Sequence, residues 1–256
     1  MCLVGLALGA SERFPLIIAA NRDEFLARPT APLDWWENIL GGRDLQAGGT
    51  WLGLAHKHRL ALVTNVRAPE HVESGAPSRG EIVQYWLGDD GPRRPSFEEL
   101  ERHVTGSGFA GVNVLAFERD GGVHVSNHGR AMTHLENGVH GLSNASIDTP
   151  WPKVERLKTE MASAIELESA DAISDALFRA LADETRAPDH GLPSTGVGLE
   201  MERNLSPAFI RLPQLGYGTR SSTVVVREGS KITVFERTYG SEGRRGDRKL
   251  VIEDWY

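Results

Sequence analysis

The sequence predicts an α+β fold in a single domain spanning residues 1–256, with mostly antiparallel sheets covered on their outer faces by helices. Two observations carry this expectation. Apolar runs of strand length come in pairs split by polar turns, which is hairpin patterning. Helix-length periodic segments fall in blocks between those pairs, so the order is strands, helices, strands, helices, strands. A chain of 256 residues with 40% hydrophobic content can bury a sizeable core.

Taken in order, residues 2–8 and 16–21 are short apolar runs around a polar turn, a hairpin packed on both faces. Residues 51–55 and 59–66 read as a second pair turning at His56-Lys57-His58. Residues 78–87 and 96–104 read as helices, the second opened by a capping box of Ser96 with Glu99. Residues 111–118 and 123–127 pair around Asp120-Gly121-Gly122, a strong turn signal. A strand over 139–143 leads to a helix over 151–166, where Pro152 fits the first turn, and to another over 170–182. Residues 183–205, rich in Gly, Pro and charge, read as a long loop or flap. Residues 221–227 and 231–238 form the last hairpin.

The formal net charge is -7 and the basic residues are scattered, so nucleic acid is not an expected partner. Arg244, Arg245, Arg248 and Lys249 come closest to a cluster, and with Glu242 and Asp247 beside them they read as a solvated loop. One cysteine cannot build a disulfide framework. The apolar start lacks a basic leader and ends at Ser11-Glu12-Arg13, unlike a secretory signal. No stretch approaches the ~20 apolar residues a spanning helix needs, so stable membrane insertion is not expected and the cytoplasm is the default location. The expected partner is a small molecule. Oligomeric state is not encoded in these features.

Chemistry concentrates at Cys2. Initiator methionine is normally removed before a small residue, which leaves Cys2 with a free α-amine beside its thiol. That amine, with an ordinary pKa of ~7.7–8, can take the thiol proton near neutral pH. A strand that begins at the nucleophile holds it rigidly. Asn21-Arg22-Asp23-Glu24 directly follows a buried strand, so this polar block is expected at a pocket mouth, with Arg22 holding Asp23 and Asp23 orienting the Cys2 amine. The bland reading is a surface ion pair worth ~0–1 kcal/mol. Asn65 and Asn144 each end a predicted strand, where a carboxamide N–H can meet a developing oxyanion or simply cap a turn. Arg220, between Tyr217-Gly218-Thr219 and an apolar strand, has a planar fork suited to a carboxylate or to the surroundings of the nucleophile.

The Met-Cys-Leu start, Asn21-Arg22-Asp23-Glu24, Gly48-Gly49-Thr50-Trp51-Leu52-Gly53, Thr64-Asn65, Gly141-Leu142-Ser143-Asn144 and residues 217–223 run in order across almost the whole chain. Together they resemble the NRDE family, also called the transport and Golgi organization family. The resemblance implies a four-layer αββα sandwich similar to that of N-terminal nucleophile (Ntn) hydrolases. It implies that Cys2, Arg22, Asp23, Asn65, Asn144 and Arg220 occupy catalytic positions of a cysteine amidase, with Asn21, Glu24, Trp51 and Tyr217 lining the substrate site. One departure stands out: Arg22 and Asp23 are adjacent, whereas the amidases space the acid from the arginine. Neighbours on an extended strand point to opposite faces, so both reach Cys2 only if the chain turns there.

The hydrolase reading requires no cofactor. The resemblance also implies a second reading, a carrier of haem, lipid or acyl-CoA, in which Cys2 or His128 would be an axial haem ligand. His124, His128, His134 and His140 fall on a hairpin and its exit. Even spacing on a strand would put His124 and His128 on one face, although surface histidines are the favoured reading. No short-spaced His/Cys pair points to a bound metal ion.

Overall fold

The computed structural model describes residues 2–56, 58–68, 75–88, 94–119 and 121–255. Met1, whose removal the nucleophile reading expects, lies outside these residues, as do Lys57 and Asp120 of two expected turns. The chain folds into two compact units. One is the chain up to Ala27 together with Glu136–Asp254, and the other is Arg28–Leu135 with the C-terminal end. No helix among the described residues is long and apolar enough to cross a membrane.

The first unit is built on one antiparallel sheet of β1 (Cys2–Leu8), β2 (Leu16–Phe25), β10 (Gly138–Leu142), β11 (Arg211–Leu212), β12 (Tyr217–Glu228), β13 (Lys231–Gly240) and β14 (Gly243–Ile252). The order is β10-β1-β2-β12-β13-β14, with β11 on β12. Helices α3 (Pro152–Ala164) and α4 (Ala170–Leu181) cover one face. Their apolar stripes, including Leu157, Met161, Ile173 and Leu177, pack on Leu3, Ala7, Ile17, Ala19, Val224 and Val226. Gly5 allows this approach, since a Cβ there would lie 2.9 Å from Met161.

The second unit is a seven-stranded antiparallel sheet running β3 (Thr30–Trp36), β4 (Ile39–Asp44), β5 (Leu52–Ala55), β6 (Arg59–Asn65), β7 (Val112–Glu118), β8 (Gly121–Ser126) and β9 (Met132–His134) in chain order. Helices α1 (Gly80–Leu87) and α2 (Phe97–Gly106) bury Ile82, Val83, Trp86, Leu100 and Val104 against it. The expected Ser96–Glu99 capping box is present.

Four expectations change. β2 runs on through the Asn21–Glu24 block instead of ending before it. β3 and β4 were not expected, because their two-residue turn carries Glu37 at φ 54 and lacks the Gly that signals such turns. Residues 183–205 are not one loop: Asp189–Gly191 is a 3-10 turn and α5 (Leu199–Asn204) follows, tied down by Lys153 donating to the Leu205 carbonyl at 3.0 Å. The Arg244–Lys249 run lies in strand β14, at the sheet edge, where charged side chains discourage pairing with further strands.

Candidate functional site at the start of the first strand

Strand alternation decides which residues meet. Leu3, Ala7, Ile17 and Ala19 face the helices. Cys2 and Arg22, each one step out of that phase and directly opposite one another in the β1–β2 ladder, therefore share the face turned away from the helices. Both are nearly buried, with 7% and 5% of their surface exposed.

Asn21 and Asp23 fall in the helix phase. The Asn21 amide donates to the Leu181 and Ala208 carbonyls, each at 2.8 Å, and its oxygen accepts the Ser222 hydroxyl at 2.6 Å. Asn21, expected to line the substrate site, is instead a saturated tether between β2, β12 and the chain that follows α4. The Asp23 carboxylate accepts the Thr219 hydroxyl at 2.7 Å, and Thr219 in turn accepts the Ile210 N–H at 2.9 Å. The chain does not turn between Arg22 and Asp23, so the Asp23 side chain stays on the face opposite the Cys2 side chain. Asp23 offers the sulfur its backbone N–H, while its carboxylate acts on the thiol through its charge.

Arg220 is placed by a break in the ladder. Thr219 pairs with Asp23 and Ser221 with Arg22, which leaves Arg220 as the extra residue of a β-bulge. A bulge releases one side chain from alternation and re-aims it. The Arg220 guanidinium donates to the Leu26 carbonyl. Burial pulls its pKa down, and the neighbouring Arg22 pulls it further, while Glu24 opposes this. Glu24 also lies 3.8 Å from Arg22. Two nearly buried guanidiniums thus sit near one another with the Glu24 carboxylate acting on both, and of the two it is Arg22 that acts on the thiol.

The neighbouring edge of β1 is held by β10. The ladder runs from Leu8–Gly138 to Val4–Leu142, and the chain bends just beyond it at Ser143 and Asn144. Ser143 donates its hydroxyl to the Cys2 carbonyl at 3.0 Å, and Asn144 is almost wholly buried. Burial pushes the Cys2 thiol up and the Asp23 carboxylate adds to this, whereas the Arg22 guanidinium and the Asp23 N–H pull it down. The net direction is up, so the thiol holds its proton until a base removes it.

Tyr217 donates to the Asp23 carbonyl at 3.1 Å and meets Phe25 edge-on at 5.3 Å between ring centres. Both line an apolar groove of about 550 Å³ with Phe209, Leu212, Leu215 and Tyr239. Asn65 and Trp51 belong to the second unit: Asn65 ends β6 opposite Val112, and Trp51 precedes β5. His128 lies in the turn beyond β8, exposed, and so does not share a strand face with His124. His124 is buried, not on the surface, its ring 3.0 Å from Asn113. Among the described residues no three His, Cys, Asp or Glu side chains cluster as metal ligands would. Sequence reasoning missed the Ser143 hydroxyl and the Leu26 carbonyl. Ser143 stood beside Asn144 in a quoted motif, but nothing in a sequence marks a backbone carbonyl as an acceptor.

The family model described as Transport and Golgi organisation 2 matches residues 1–241. The human Transport and Golgi organization protein 2 homolog is 33% identical over 250 residues, covering 90% of this chain and 88% of that protein. The Drosophila melanogaster protein of that name is 26% identical, with 93% and 92% covered. Among solved structures, a mutant conjugated bile acid hydrolase from Clostridium perfringens aligns over 97% of this chain and 92% of its own, at 10% identity and a TM-score of 0.54. A Caenorhabditis elegans N-acylethanolamine-hydrolyzing acid amidase ortholog covers 88% and 92% at 11% identity and a TM-score of 0.50. The α+β fold of two antiparallel sheets with flanking helices is thus the fold of these Ntn hydrolases, and the chain belongs to the Transport and Golgi organisation 2 family.

Proposed function

We propose that the chain, once Met1 is removed, uses Cys2 as an N-terminal nucleophile to cleave a C–N amide bond of a small molecule. The observation that carries this reading is the convergence at one end of one sheet. Cys2 stands directly across from Arg22, Arg220 is re-aimed by a bulge in the adjoining strand, and Ser143 holds the Cys2 carbonyl. Ordinary core strands do not bury a guanidinium directly across from a thiol with a second guanidinium close to the first.

The raised thiol needs a base, and a free α-amine on the same residue supplies one. The amine takes the proton, and the sulfur bonds to the substrate carbonyl carbon. Arg22 steadies the thiolate before attack. The tetrahedral oxyanion accepts the Asn144 carboxamide N–H. The α-ammonium then gives its proton to the leaving nitrogen as the C–N bond breaks, leaving a thioester on Cys2. Water, deprotonated by the amine, attacks that thioester, the C–S bond breaks, and the acid and the free thiol emerge. Arg220, with Glu24 beside it, is suited to a polar end of the substrate.

Intact mass of the purified protein should show Met1 missing, and an electrophilic acyl probe should label Cys2 but not a Cys2→Ala variant. Full-length Met1 together with an unlabelled Cys2 ends the hydrolase reading.

The apolar groove supports a second reading, a carrier of an apolar ligand such as a lipid or a porphyrin. Phe25 and Leu215 stand 57% and 52% exposed at its rim, which is costly surface unless something covers it. Haem titration should then give a saturable Soret band weakened by Leu215→Asp, and by Cys2→Ala or His128→Ala if those residues ligate the iron. Absence of saturable binding removes haem from this reading.

A further inference from the structure

The loop that brings Ser143 and Asn144 to Cys2 is closed by a single residue. Asp148 donates its N–H to the Gly141 carbonyl at 2.7 Å and accepts the Gly141 N–H on Oδ1 at 2.9 Å. Residues 142–147 are thereby pinned at both ends. Oδ1 also accepts from Lys158 Nζ at 3.0 Å, and Oδ2 lies 2.7 Å from His140 Nδ1. Asp148 holds φ at 56°, in the left-handed region that aspartate enters more readily than most residues other than glycine.

His140 has acceptors at both ring nitrogens, since Nε2 lies 2.9 Å from the Glu136 carbonyl while Nδ1 faces Asp148. Only the doubly protonated ring donates at both. The groups around it are few. Lys158 reaches in from α3 with Glu155 3.8 Å from its ammonium, and the β1 residue paired with His140 is the uncharged Leu6. Hydrogen bonding to Asp148 pushes His140 up, against partial burial and Lys158.

We infer that Asp148 is a positioning residue that locks the Ser143–Asn144 loop against Cys2, and that protonation of His140 sets how firmly the lock holds. The catalytic part of this inference rests on the nucleophile reading. The lock itself does not. As pH rises through the raised pKa of His140 the ring loses one of its two donors and the loop loosens. As pH falls, the lock persists until Asp148 itself is protonated.

Three measurements on the Met1-processed chain test this, using Asp148→Asn, Asp148→Gly and His140→Gln. Asparagine and glycine both tolerate the left-handed backbone, so either variant removes the carboxylate without straining the turn. Amide exchange over residues 141–148 reads the lock, and it should quicken in both Asp148 variants. In the parent chain exchange should also rise with pH beyond the intrinsic dependence seen in His140→Gln. Acylation by the electrophilic acyl probe should fall about tenfold or more in Asp148→Gly, as misplacing a transition-state donor does. Iodoacetamide, which forms no oxyanion, should alkylate Cys2 in Asp148→Gly at the parent rate. Unchanged exchange in a folded Asp148→Gly overturns the lock. Faster exchange with unchanged acylation overturns the positioning role while leaving the nucleophile intact. A parent chain that iodoacetamide labels and the acyl probe does not overturns the nucleophile reading and the catalytic role of Asp148 with it.

Discussion

Two arginines, one in each unit, are almost equally buried and stand in different surroundings. Arg59 in the second unit donates to the Trp86 carbonyl at 3.0 Å, to the Pro95 carbonyl at 2.8 Å and to Glu118 at 2.6 Å, with its guanidinium 4.0 Å from the centre of the Trp86 ring. It pins β6 to α1, the approach to α2 and the end of β7. Arg220 in the first unit donates to the Leu26 carbonyl but lies beside Arg22, another cation. Burial alone does not separate a structural charge from a functional one. The number of acceptors differs, since Arg59 meets two carbonyls and a carboxylate with Arg94 also near, whereas Arg220 has the Leu26 carbonyl and the charges of Arg22, Arg245 and Glu24.

The sharpest test of that contrast exchanges the readouts. Arg59→Ala should cost about 3 kcal/mol in urea unfolding, because two carbonyls and a carboxylate lose their donor and a stacked ring is uncovered. Acylation of Cys2 should hardly change. Arg220→Ala should move stability by less than about 1 kcal/mol, since relief of repulsion offsets the lost hydrogen bond, while acylation falls roughly 100-fold. An Arg220→Ala protein that unfolds easily and still acylates normally would return Arg220 to the structural class.

Next in size is Asn21, which shares its motif with Arg22 and faces the other way. Asn21→Ala leaves the Leu181 and Ala208 carbonyls and the Ser222 hydroxyl without a partner in the core. A loss of about 2 kcal/mol is expected, with the labelling rate per folded molecule unchanged. A selective loss of labelling would put Asn21 back at the substrate site.

These residues also mark what the sequence discloses. The apolar strands β1, β6, β7 and β13 were legible within about two residues, because a buried strand must be apolar wherever it has no partner for a polar side chain. The Asn-Arg-Asp-Glu stretch read as a strand end for the same reason. Asn and Asp are poor strand formers, and partners such as Ser222, Thr219 and the Leu181 and Ala208 carbonyls make them tolerable there. β14 was hidden by its edge position, where a strand has no need of apolar residues and gains from charged ones. At the site, the two-residue repeat showed that Arg22 and Asp23 could both serve Cys2 only if the chain turned between them, yet Asp23 was still expected beside the Cys2 amine. The bulge at Arg220 left no such trace, since one extra residue in one strand is invisible until the partner's register is known.

The smallest expected effect sharpens the comparison through pH. Arg59 and Arg220 stay charged at any ordinary pH, but the His140–Asp148 pair does not. Partial burial raises the Asp148 carboxyl, yet the bonds from His140, the Gly141 N–H and Lys158 outweigh it and bring the pKa from 3.8 to about 2. A depressed carboxylate contributes its stability above its unfolded value and loses it as pH falls toward about 2. His140 is shifted the other way, above 6.5, so its contribution is complete below 6.5 and disappears as pH rises through the folded value. The pair therefore stabilises the first unit most between about pH 4 and 6.5. Both side chains are partly exposed, so solvent and salt will screen the gain. The difference in Tm between the parent chain and Asp148→Gly should peak in that window and shrink on either side, and 1 M NaCl should flatten it. A difference that is constant from pH 3 to 9 would mean that Asp148 acts through backbone geometry alone and that His140 sets nothing.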